Sequence, residues 1–172
     1  MRNQLFLLFI LFVVSACGQS ENRTIKITDS PAITSDEYWV DSLTAEQYHI
    51  LREQGTERPF TGEYWNHKET GTFVCRACKL PLFKSSTKFK SGTGWPSFYT
   101  PYKSAHVAYR EDNKFFYTRI EVHCSRCGAH LGHVFNDGPK PTGKRYCMNS
   151  AALKFVEKRP ATNGSAKKPD PK

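Results

Sequence analysis

Two C-x-x-C units, Cys75-Arg76-Ala77-Cys78 and Cys124-Ser125-Arg126-Cys127, constrain this chain more than any other feature. Each puts two thiolates on one tight turn, and two such turns supply the four soft ligands of a tetrahedral zinc ion. Four thiolates leave no open position, so the implied metal is structural. The stretch between the units, Lys79 to His123, is longer than in a compact zinc ribbon. The ion would therefore join two separate hairpins, replacing core that a small domain cannot easily build. Disulfides are the competing reading for an exported chain. A redox dithiol is a third, but it expects a C-x-x-C that opens a helix. Two matched units flanked by strand-like residues favour zinc.

The surrounding pattern is mostly antiparallel β. Thr72-Phe73-Val74 enters the first unit and Leu80-Pro81-Leu82-Phe83 leaves it, as a hairpin around a metal knuckle would. Val107-Ala108-Tyr109, a polar turn at Glu111-Asp112-Asn113, and Phe115 to Val122 predict a second hairpin. In it Phe116, Thr118, Ile120 and Val122 share one face, with Phe115, Tyr117, Arg119 and Glu121 on the other. Arg145 to Phe155 predicts a last strand. The N-terminal side is helical: Thr44 and Gln47 have capping-box spacing around a run to Glu53, and Gly55 is placed to stop it.

Outside this region the chain reads differently. Arg2, the apolar run Leu5 to Val14, and Ser15-Ala16 before Cys17 form a leader too short to span a bilayer, so residues 1–16 read as a signal peptide. Val14-Ser15-Ala16-Cys17 resembles a bacterial lipobox, which makes Cys17 the lipidation site of an exported, membrane-anchored lipoprotein of the cell envelope. Residues 17–41 then form a polar tether, 42–156 the folded domain, and 157–172 a disordered basic tail. The formal charge of +9 comes with no basic helix or aromatic–basic stacking pattern, so nucleic acid is excluded as the partner. An anionic membrane surface is the simpler attractor.

With four cysteines given to metal and one to the leader, Cys147 is left over. On a strand Arg145, Cys147 and Asn149 share a face, so an arginine and an amide stand beside the sulfur, with Tyr146 and Met148 turned inward. A buried apolar cysteine is the bland alternative. His130 and His133 would point to opposite faces of an ideal strand, but Gly132 could permit a bulge that brings them together. They suit proton donation to a substrate oxygen. Ser91 to Phe98 is a glycine-rich turn presenting Trp95; Pro96 and the absence of a following Lys-Ser/Thr disfavour phosphate.

Together the segments Leu43 to Tyr48, Gly55 to Gly62, Ser91 to Phe98, Gly128 to Phe135 and Arg145 to Ser150 closely resemble the B-type methionine sulfoxide reductases. The resemblance implies two antiparallel β-sheets stapled by one structural zinc on Cys75, Cys78, Cys124 and Cys127. It makes Cys147 the nucleophile that attacks the sulfoxide sulfur, with His130 and His133 on the sulfoxide oxygen. Trp95 matches the aromatic that holds the methyl group, with Phe135 beside it on the substrate, and Arg145 and Asn149 match residues that line the site. The substrates implied are oxidised proteins or peptides, and the enzyme is expected to act as a monomer. One position departs from a common pattern: many members carry a recycling cysteine where this chain has Thr93. A sulfenic acid on Cys147 would then be reduced directly by an external thioredoxin-like dithiol.

Overall fold

The structure is a computed structural model that describes Trp39, residues 42–114 and residues 117–158. The leader, Cys17 and the tail from residue 159 lie outside the described residues, as do Phe115 and Phe116. Within them are one α-helix, α1 (Ala45–Glu53), and nine strands: β1 (Gly71–Cys75), β2 (Pro81–Lys84), β3 (Lys88–Phe89), β4 (Ser97–Phe98), β5 (Val107–Asp112), β6 (Arg119–Cys124), β7 (His130–Phe135), β8 (Arg145–Met148) and β9 (Leu153–Glu157). They form two antiparallel sheets, three strands in order β2-β1-β9 and six in order β3-β4-β8-β7-β6-β5. The mainly β expectation holds. The helix lies on the N-terminal side, as expected, and 3-10 turns follow at Ser85–Thr87, Ser104–His106 and Ser150–Ala152.

Helix α1 starts where the spacing predicts. Thr44 Oγ1 accepts from the Gln47 amide at 3.2 Å, while Gln47 Oε1 accepts from the Thr44 amide at 3.2 Å. Its end differs by one residue: Gln54 takes the left-handed position at φ 60°, and Gly55 donates its amide to His49 O, six residues back. The helix buries Ile50 and Leu51 in the core. Arg52 Nη1 donates to Cys127 O at 3.2 Å, so the helix also braces the second C-x-x-C. The core beneath is aromatic, with Phe83 stacked on Phe98 at 4.4 Å and Phe73 edge-on to Phe98 at 5.1 Å. Each such ring contributes about 1.5–3 kcal/mol by leaving water. Trp39, read as tether from its polar neighbours, is 1% exposed and belongs to this cluster.

Two boundaries also move. The supposed turn residues Glu111 and Asp112 are strand, paired with Ile120 and Arg119. The run from Arg145 to Phe155 is two strands in different sheets, broken at Ser150–Ala152. The break has a cause: the buried Glu57 carboxylate accepts from the Ser150 amide at 2.7 Å and the Ala151 amide at 2.9 Å. Those two donors are thereby turned away from any neighbouring strand. No helix among the described residues is long and apolar enough to cross a membrane.

Candidate active site

The four cysteines of the paired units meet. Both knuckles close alike: the amide four residues on returns to the first cysteine's carbonyl at 2.9 Å, from Lys79 to Cys75 and from Gly128 to Cys124. The first cysteine's own amide then donates to the carbonyl five residues on, Leu80 or Ala129. Lys79 and Gly128 both take positive φ to allow this. The four Sγ atoms lie within 4.8 Å of one another, with Cys75–Cys127 at 3.8 Å and Cys78–Cys124 at 3.5 Å. A tetrahedron with metal–sulfur bonds of about 2.3 Å has edges of about 3.8 Å, whereas a disulfide needs about 2.05 Å. The cluster therefore could hold a zinc ion, and all four thiols are free. Hydrogen bonds within the cluster lower the Cys78 and Cys127 thiols and raise those of Cys75 and Cys124.

Cys147 stands apart from these four, in the middle of the six-stranded sheet. Its strand β8 lies between β4 and β7, which sets Ser97 opposite it on one side and His133 on the other. Directly opposed residues bring their Cβ atoms to about 4.5–5.5 Å. Tyr146 and Met148 turn into the core, as the alternation predicts. The sulfur opens onto a pocket of about 120 Å³ whose walls include Trp95, His133, Phe135, Met148 and Asn149.

Getting His130 and His133 onto one face takes the bulge that Gly132 was expected to permit. Val122 pairs with Gly132 but His123 pairs with His130, so Leu131 is an extra residue in β7. A Cβ at Gly132 would overlap the Cys147 carbonyl oxygen, so the close approach of β7 and β8 requires glycine there. Asn149 holds the bulge, donating its backbone amide (2.8 Å) and its Nδ2 (3.2 Å) to Leu131 O. Its Oδ1 accepts from the Glu57 amide at 3.1 Å. Asn149 thus lines the pocket while spending its amide on the scaffold rather than on Cys147.

The two imidazoles sit 5.5 Å apart, each on its own carboxylate. His133 Nε2 lies 2.8 Å from Asp112 Oδ2, and His130 Nδ1 lies 2.6 Å from Glu121 Oε1. Burial pushes the Asp112 carboxyl up, but hydrogen bonds from His133, the Lys114 amide and Arg119 outweigh it and hold it well below its usual range. Burial acts likewise on Glu121, where His130 and Arg110 win and bring it to about 2. An ionised carboxylate only accepts, so each histidine must turn an N–H toward it. Burial keeps His133 below the ordinary imidazole value despite Asp112, so it is neutral at pH 7. His130 is more deeply buried, and its Nε2 has no hydrogen-bond partner.

Arg145 pulls the Cys147 thiol down, as its spacing implies, while its guanidinium is also held elsewhere. Its guanidinium forms a two-pronged pair with Asp137 at 2.9 and 2.8 Å and lies 4.3 Å above the Phe135 ring. Burial pushes the Cys147 thiol up; the Thr93 hydroxyl, Arg145 and Ser97 pull it down without offsetting that. Thr93 is the sulfur's hydrogen-bonding neighbour, its Oγ1 3.9 Å from Sγ at the end of a hydroxyl chain. Ser97 Oγ donates to Ser91 Oγ at 2.8 Å, and Ser91 Oγ lies 2.8 Å from Thr93 Oγ1.

Sequence reasoning missed the residues that orient the site. Asp112 falls in an expected turn and Glu121 on the strand face shared with Phe115, Tyr117 and Arg119, and both are buried on the histidines. Glu57 carries no local signal, yet it ties the 149–152 turn to Trp95. Besides capping the 149–152 turn and meeting Asn149, its carbonyl accepts from Trp95 Nε1 at 3.1 Å.

Residues 43–157 match the SelR domain family. The peptide methionine sulfoxide reductase MsrB of Methanosarcina barkeri (strain Fusaro / DSM 804) is 57% identical over 130 residues, covering 76% of this chain and 92% of that protein. The protein of the same name from Saccharophagus degradans is 60% identical over 120 residues, covering 70% and 90%. The chloroplastic peptide methionine sulfoxide reductase B1 of Arabidopsis thaliana is 58% identical over 124 residues, covering 72% and 61%.

Proposed function

Because this chain belongs to the SelR-domain family of B-type peptide methionine sulfoxide reductases, we propose that it reduces methionine-(R)-sulfoxide in oxidised proteins with Cys147 as the nucleophile. One arrangement carries the reading. The Cys147 sulfur opens into a small pocket between an aromatic wall, Trp95 and Phe135, and a carboxylate-held histidine, His133. A sulfoxide needs those three things: a soft nucleophile, a hydrogen-bond donor for its oxygen, and an apolar wall for its methyl group.

At rest both Cys147 and His133 are neutral, each kept so by burial. With Nε2–H committed to Asp112, the free Nδ1 of His133 can take the thiol proton. The imidazolium formed is stabilised by Asp112 and offers a proton to the sulfoxide oxygen. The thiolate attacks the sulfoxide sulfur, oxygen passes to Cys147, and the products are a methionine thioether and a cysteine sulfenic acid. An external thioredoxin-like dithiol then reduces the sulfenic acid, giving thiol, water and the dithiol's disulfide. Thr93 supports this direct route, since a hydroxyl stands 3.9 Å from Sγ where a recycling thiol would be needed.

Zinc fits the Cys75, Cys78, Cys124 and Cys127 cluster by donor softness and spacing, and would brace the fold without entering the chemistry. The leader composition supports lipidation at Cys17 and tethering at the cell envelope. The test is turnover of R- and S-methionine sulfoxide with an external dithiol, with quenched samples read by mass spectrometry. Reduction of the R epimer alone and a Cys147 sulfenic acid adduct are expected. Preference for the S epimer overturns the assignment, and an intramolecular disulfide to Cys147 overturns direct reduction.

A pH profile checks the resting state. Because burial raises the Cys147 thiol, the rate of its alkylation by iodoacetamide should still be climbing at pH 9. A plateau reached by pH 7 would mean a stabilised thiolate instead.

A further inference from the structure

Beside the catalytic pocket lies a larger hollow that the reaction does not use. It measures about 380 Å³, within the range of about 300–1,000 Å³ usual for ligand sites, and Trp95 forms a wall of both cavities. Three lysines line it, Lys68, Lys88 and Lys90, against one carboxylate, Glu69. Phe60 and Trp65 stand at its edge as an edge-to-face pair, ring centres 5.5 Å apart, 54% and 38% exposed. Phe60 is the odd one. A bulky side chain at φ 66° is strained, and this ring gains little burial in return. The conformation is held by the Phe60 amide, which donates to Gly94 O at 2.8 Å beside Trp95. An aromatic fixed in a costly conformation and left in water contributes little to folding; it serves contact with something else.

We propose that this hollow is a groove for the polypeptide carrying the oxidised methionine, which takes acidic and apolar side chains within a few residues of the sulfoxide. The proposal rests on the reductase reading above. The methionine side chain enters the small pocket past Trp95, and the adjoining chain runs on into the hollow without leaving the wall the two share. Ammonium groups attract carboxylates there, and Phe60 and Trp65 cover apolar side chains. A concave hollow of this size suits an extended strand of peptide.

Single turnovers of the pre-reduced full-length enzyme separate this step from recycling. Three substrates are compared: N-acetylmethionine-(R)-sulfoxide methylamide, a peptide with aspartate and phenylalanine around the sulfoxide, and the same peptide with lysine for aspartate. The acidic peptide should react about tenfold faster than the lysine peptide at low salt, the gap closing as salt screens the charges. Phe60→Gly suits the positive φ and keeps the fold. It should lower the rate with the acidic peptide by about tenfold and leave the methylamide within about twofold. Lys68→Glu with Lys90→Glu should reverse the order of the two peptides. Equal rates for both peptides, or a Phe60→Gly defect confined to reduction by thioredoxin, overturn the groove. Failure of the wild type to reduce the methylamide would sink the reductase reading itself.

Discussion

Cys147→Ser should abolish turnover, with a loss on the order of 10⁴-fold or more, and leave the fold intact. Oxygen is a far poorer nucleophile toward sulfoxide sulfur than a thiolate is, and a serine cannot accept the transferred oxygen as a sulfenic acid. Nothing structural hangs on the sulfur. It is half-buried, and its side-chain neighbour Thr93 is a long 3.9 Å away. The thermal midpoint should therefore stay within a few degrees of the wild type. Single-turnover assays on pre-reduced protein and a melting curve measure both. Activity within tenfold of the wild type would move the nucleophile elsewhere. The companion variant Thr93→Cys puts a thiol beside the sulfur, and its oxidised form should then carry an internal disulfide to Cys147 that the wild type is not expected to form.

The second large effect is on stability. Stripping metal at neutral pH should unfold the domain, and zinc at one ion per chain should restore it. A structural zinc site is worth about 10–16 kcal/mol in apparent binding, as much as the whole stability of a typical domain at about 5–15 kcal/mol. The position of the cluster gives that magnitude its leverage. Cys75 ends β1 of the three-stranded sheet and Cys124 ends β6 of the six-stranded one, so an ion held there would tie the two sheets. Without it, Cys75, Cys124 and Cys127 would be buried thiols with no ligand to draw them together. Metal analysis beside a melt in chelator is the check. An unchanged transition in protein shown to be metal-free would refute the structural role.

What the sequence made legible follows from how local each signal is. The knuckles are legible because ligand spacing and turn chemistry sit within four residues. The facing of Cys147 was legible from strand alternation, and the histidine pair from the one glycine that could bend their strand. Glu57, Asp112 and Glu121 were not legible, because their partners lie in other elements. Glu57 meets Ser150 and Ala151 more than ninety residues on, and Asp112 meets His133 twenty-one residues on. A carboxylate on a strand reads as solvated until the register is known. The same distance effect joined β8 and β9 into one expected strand, since the cap that breaks them comes from residue 57.

That break bears on the order of synthesis. Strand β1 has β9 as its partner along all five residues, Gly71 opposite Glu157 through Cys75 opposite Leu153. The smaller sheet therefore waits for the final stretch of the domain to leave the ribosome, and such distant pairings close slowly. Cys147 emerges only ten residues before Glu157, long after the four clustered sulfurs. The nascent chain thus has no reactive sulfur at position 147 to oxidise until nearly everything that will shelter it has been made.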